Sequence, residues 1–115
     1  MSHLIRMLYW RMDLFRDCIA LRQVKINKNW KYIENRIFYN CRNLTSVNIP
    51  SKVRRVGSKA FGNCRSLKKI KMPKSVKKIE KDAFKGCKKL TLYVKKGSYA
   101  HKYAKKYHVK YKYWK

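Results

Sequence analysis

The chain is predicted to fold as an α/β repeat protein, a short solenoid with a parallel β-sheet and a C-terminal capping helix. Three observations predict it. Leucines stand at 21, 44, 67 and 90, phenylalanines at 15, 38, 61 and 84, and cysteines at 18, 41, 64 and 87, every series advancing by 23 residues. Within each interval a short run alternates apolar and polar residues, as in Val47 and Ile49 or Ile70 and Met72. After Leu90 the period stops, and a segment rich in Tyr, Ala and Lys begins. A fixed period of this length marks a solenoid, in which each coil hides its apolar side only against its neighbours.

The 115 residues suit one domain, which divides into three parts. Residues 1–20 read as a partial repeat or N-terminal cap, because Met7, Trp10, Leu14, Phe15 and Cys18 fill the slots of Val53, Val56, Ala60, Phe61 and Cys64. The Leu4, Leu8, Met12 and Phe15 spacing fits a short amphipathic helix equally well. Met7, Tyr9 and Trp10 at this edge also offer a surface to a second copy of the chain, a homodimer through the N-terminal edge.

Residues 21–94 are the repeats of 23 residues. In each, the stretch after the leucine reads as a strand with inward residues at period two. Pro50 and Pro73 end the strands because proline has no amide for the ladder. A second extended piece follows at Val53 to Val56 and at Val76 to Ile79, and Ala60-Phe61 and Ala83-Phe84 then open a single helical turn that the cysteine closes. Residues 95–115 form a C-terminal cap and a basic-aromatic tail. Lys95-Lys96-Gly97 turns the chain, and Ser98 caps a helix through about Tyr107. Tyr99, Tyr103 and Tyr107 share one face of that helix with Ala100 and Ala104, and Val109 to Trp114 follows as a last strand or tail.

At Leu67, Ile70, Met72, Pro73, Val76, Ile79, Ala83, Phe84 and Cys87, and at the same slots of the Leu44 unit, the sequence resembles the BspA-like (Treponema pallidum type) leucine-rich repeats. The resemblance runs from about Met7 to Val94, and the GSYAHKYAKKY segment resembles the helix that ends such arrays. The first full unit departs from the pattern, with Asn27 in the proline slot and Ile37 in the alanine slot. The resemblance implies a leucine-rich-repeat scaffold with a habit of binding, often at cell surfaces. It implies no reaction.

Against 32 Lys and Arg stand only 5 Asp and Glu, a net charge of +27. Self-repulsion on that scale weakens a compact state and attracts polyanions. The outward slots carry it in files. Lys31 with Tyr32, Arg54 with Arg55, and Lys77 with Lys78 occupy the same two positions in three coils, while Arg42, Arg65 and Lys88 form another column. The strand face grows more basic along the chain, from Gln23 and Lys25 through Ser46 and Asn48 to Lys69 and Lys71. Lys102, Lys105 and Lys106 extend the charge onto the cap, and the tail interleaves lysines with Tyr111, Tyr113 and Trp114. Such aromatics either stack the bases of a single strand or form the core of the cap.

Two functional readings follow. One is a module that binds a polyanion, RNA or DNA, through stacked Lys and Arg columns; the other is a protein-binding or adhesive module associated with an anionic surface polymer. An enzyme is not expected. His3, His101 and His108 belong to no nucleophile or metal motif, no glycine-rich phosphate loop is present, and no cofactor is implied. The four cysteines share one phase, which reads as a repeated core position holding reduced thiols. Arg6, Arg11, Asp13, Arg16 and Asp17 make the first twenty residues too charged for a signal-peptide core or a membrane span. That and the thiols favour the cytoplasm, while the family resemblance points to the cell surface.

Overall fold

The computed structural model describes residues 4–6 and 21–114. Two parallel sheets run along the coil axis. The larger holds β1 (Leu4–Arg6), β2 (Gln23–Lys25), β4 (Ser46–Asn48), β6 (Lys69–Lys71), β8 (Thr91–Val94) and β9 (Tyr111–Tyr113), in that spatial order. The smaller holds β3 (Tyr32–Ile33), β5 (Arg55–Val56) and β7 (Lys78–Ile79). The helix α1 (Tyr99–Lys106) follows β8.

Register repeats the sequence period. Gln23 pairs with Ser46 and Ser46 with Lys69, while Tyr32 pairs with Arg55 and Arg55 with Lys78. Each strand buries its middle or last residue, so Val24, Val47 and Ile70 form one inward row and Ile33, Val56 and Ile79 another. The phenylalanines stack as expected: the Phe38 and Phe61 rings lie 5.3 Å apart and nearly parallel, and Phe61 and Phe84 5.8 Å apart. Tyr103 of α1 ends that stack edge-on, 6.1 Å from Phe84.

The segment at 58–63 is not the helical turn its Ala-Phe pair predicts. It is a chain of turns whose amides alternate in direction. Phe61 and Asn63 donate to Ala83 and Lys85 of the next coil, while Gly62 and Cys64 donate back within their own coil to Lys59 and Phe61. Residues 35–40 repeat the pattern against Ser58, Ala60 and Gly62. Left-handed backbone at Asn40, Asn63 and Gly86, one slot of the period, breaks the helical path; Asn and Gly enter that region at least cost. These inter-coil bonds make a third side of the coil.

Both ends depart from the 23-residue interval. Leu4 pairs with Gln23 and Leu92 with Tyr111, 19 residues apart in each case, and Lys69 pairs with Thr91 after 22. Leu4 lies in a strand, so the amphipathic-helix spacing that begins there does not hold at its first residue; the rest of that spacing, and the edge of Met7, Tyr9 and Trp10, lie outside the described residues.

At the other end, Ser98 caps α1 by accepting the His101 amide, and Gly97 takes the left-handed turn before it. Ala100, Tyr103 and Ala104 are the buried face of α1. The Tyr103 hydroxyl donates toward the carbonyls of Glu80 and Lys81, and the Ile79 amide donates to the Tyr99 hydroxyl. Burial pushes the Tyr103 phenol above its ordinary range.

Cys41 is buried, and Cys64 and Cys87 are thiols whose sulfurs approach the carbonyls of Phe38 and Phe61 at 3.1 and 2.9 Å. Cys18 lies outside the described residues. No helix among the described residues is long and apolar enough to cross a membrane.

Candidate functional site

All thirteen cations singled out from the sequence are exposed, but they occupy different sides of the coil. Lys31, Arg54 and Lys77 form one file beside the smaller sheet, where the Arg54 amide donates to Lys31 and the Lys77 amide to Arg54, at 2.7 and 2.8 Å. Arg55 and Lys78 are direct Cα partners in that sheet, with Tyr32 in the third position. Arg55 is partly neutralised, since its guanidinium lies 3.3 Å from Glu80. Arg42, Arg65 and Lys88 follow the cysteines at a corner, and Arg42 Nε donates to Asn40 Oδ1.

Lys69 and Lys71 stand on the outward side of the larger sheet. There the structure assembles a group that the sequence reading did not pick out as a unit. Because the interval from β6 to β8 is one residue short, Tyr93 rather than Val94 becomes the partner of Lys71, and Lys112 follows it on β9. Lys69 Nζ lies 5.6 Å from the Tyr93 ring centre. Lys71 Nζ and Lys95 Nζ lie 4.4 and 4.0 Å from the ring centre of Trp114, inside the reach of a cation–π contact. The indole is fixed in place, with Nε1 donating to Met72 O at 3.0 Å and the Trp114 amide to Val94 O at 3.1 Å. The alternation of Leu92, Tyr93, Val94 and Lys95 was the signal available in the sequence. Its meaning depended on the 22-residue step.

Of the other tail aromatics, Tyr111 is partly buried and Tyr113 exposed. Tyr111 packs on the core, and His101 of α1 sits 4.9 and 5.3 Å from the rings of Tyr111 and Tyr113. Helix α1 therefore lies behind β9, and Lys102, Lys105 and Lys106 are on a different side of the sheet from Lys69 and Lys71.

Glu80 faces Arg55, and Asp82 accepts a hydrogen bond from Ser58 Oγ at 2.9 Å. Among the described residues no three His, Cys, Asp or Glu side chains gather where they could hold a metal ion. The hydrogen bond to Cys87, then burial, pushes the Cys64 thiol far above its ordinary range, and the same bond from Cys64 lowers Cys87.

A family profile described as "BspA type Leucine rich repeat region (6 copies)" matches residues 10–104. Among solved structures, a leucine rich cell surface protein from Faecalibacterium prausnitzii A2-165 is similar at 29% identity with a TM-score of 0.72, covering 77% of this chain and 24% of that one. A leucine-rich repeat protein from Bacteroides ovatus is similar at 25% identity and TM-score 0.66, covering 97% of this chain and 36% of that one. The Leucine Rich Repeat protein of T. pallidum shares the fold at 20% identity and TM-score 0.63, over 79% of this chain and 51% of its own. This chain thus spans between about a quarter and a half of each. No curated protein matches it. With the profile covering most of the sequence and the repeats in register, the chain belongs to the BspA-type leucine-rich repeat family, a non-enzymatic family of interaction modules.

Proposed function

We propose that this repeat module binds a polyanionic partner, most concretely the backbone of a nucleic acid, through its stacked Lys and Arg columns. The observation that carries the reading is the file of like charges in register: Arg54 above Lys77, Arg55 opposite Lys78, and Arg42, Arg65 and Lys88 at one corner. Two unit charges about 5 Å apart repel by roughly 0.8 kcal/mol in water, and like charges across a ladder destabilise it. A chain carrying +27 repeats this cost many times. A polymer of phosphates removes it and releases counterions.

The test is to purify the untreated protein at low salt and read its absorbance ratio before and after nuclease. Nucleic acid that copurifies, and that diminishes when Arg54, Lys77 and Lys31 are changed together to Gln, is the expected result. A protein-like ratio from the start, with no uptake of added RNA or DNA, contradicts it. The likeness to a cell surface protein supports a second reading, adhesion through a protein partner. A specific protein recovered from a pull-down after nuclease treatment favours that reading over the first.

A further inference from the structure

The outward side of the larger sheet changes character along its length. Its N-terminal half presents Gln23, Lys25, Ser46 and Asn48, whereas from β6 onward it presents Lys69, Lys71, Tyr93, Lys95, Lys112 and Trp114. None of β2, β4, β6, β8 or β9 contains an Asp or Glu. Two half-buried aromatic rings on neighbouring strands thus sit among four ammonium groups, three of which lie over those rings. The rings are held by backbone: Tyr93 within the central ladder, Trp114 by its two hydrogen bonds to Val94 and Met72.

We propose that this patch binds single-stranded nucleic acid, with unpaired bases stacking on Tyr93 and Trp114 while Lys69, Lys71, Lys95 and Lys112 take the phosphates. The proposal rests on the polyanion reading above and adds to its Lys and Arg files a further contact face, on the larger sheet, and a strand state. An ammonium over an exposed aromatic ring is held loosely, and a phosphate attracts it more strongly because it carries a full opposite charge. When the lysines move to phosphates, the ring faces they covered open to bases. Every base has a π face, so the site tolerates any sequence. A duplex keeps those faces stacked inside, and a sulfated or carboxylated polysaccharide has none. The two lysines on Trp114 are therefore the resting state of a site whose occupant brings both anion and ring.

The experiment compares fluorescence-labelled oligo(dT) of about 20 nucleotides with a duplex of the same length and with heparin as competitor, at about 50 mM salt. Oligo(dT) is expected to bind about tenfold or more tightly than the duplex, and to quench tryptophan emission. In Trp114→Phe that quenching disappears, and in Tyr93→Leu the preference for oligo(dT) falls towards unity. Leucine keeps an apolar side chain in the strand, and circular dichroism identifies any variant that has lost the fold. Salt-sensitive binding that is equal for single strand and duplex, with tryptophan emission unmoved, overturns this proposal and leaves the polyanion reading intact. No binding to any of the three overturns that reading itself. Heparin that binds more tightly than oligo(dT), and loses affinity in Tyr93→Leu, assigns the patch to an anionic polysaccharide instead.

Discussion

At the scale of single residues, the cysteine series separates packing from reactivity. Cys64 is fully buried, with its sulfur against the Phe38 carbonyl, and Cys87 is the same position at the end of the array, partly buried beside Lys88 and Lys89. The bond between them makes Cys87 the stronger acid and Cys64 the weaker one. Thiolate is the species that alkylates. With iodoacetamide and mass spectrometry across a pH series, Cys87 should label with a midpoint below that of an ordinary thiol, while Cys64 stays unmodified until the protein unfolds. Equal labelling of both in the native state contradicts the assignment. Gly57 shows a different constraint at this scale. Its slot holds Glu34 and Glu80 in the coils on either side, but a Cβ here would press on the Asn35 amide 2.6 Å away, and Asn35 Oδ1 is what receives the Ser58 amide. Gly57→Ala should therefore destabilise the fold by about 1–3 kcal/mol in a urea titration, although the period alone would allow a side chain.

Among the elements, the cap depends on α1 more than on its length suggests. Eight residues make a marginal helix on their own, and tertiary packing supplies what propensity does not. Tyr103 is the anchor, closing the phenylalanine stack with its ring and meeting two carbonyls of the last coil with its hydroxyl. Tyr103→Phe leaves those carbonyls without that donor and should lower stability by about 1–2 kcal/mol in chemical denaturation; an unchanged midpoint would show that the hydroxyl is dispensable. The helix, its Ser98 cap and the Gly97 turn were legible because capping and periodicity are local. The turn segments were not, since their inter-coil amides pair with residues 22 positions away and local reading of Ala-Phe supplies only a helix. The Asn-Cys and Gly-Cys pairs that mark the left-handed slot were visible, but their meaning required the neighbouring coil.

For the molecule as a whole, the period established the coil stack and the family before any coordinates, because register in a solenoid is the repeat itself. What the period could not place were its exceptions. The short steps at the ends bring Tyr93 into a lysine file and Trp114 beside Lys71 and Lys95, so a mixed surface of charge and aromatic rings arises where the repeat fails. The cation columns were legible residue by residue, yet their distribution over separate sides of the coil followed only from the fold. Each side can neutralise its own charge only by meeting an anion or by moving its lysines apart in solvent.

The most direct measurement is the affinity for a nucleic acid of about 20 nucleotides as salt rises from about 50 to 200 mM. A partner held by several Lys and Arg to phosphate contacts gives a straight log–log plot whose slope counts those contacts, and the affinity falls by about three orders of magnitude if six or so take part. That fall is the predicted result. Binding that is absent at the lowest salt, or present and unchanged across the range, contradicts a function built on the ranked charges.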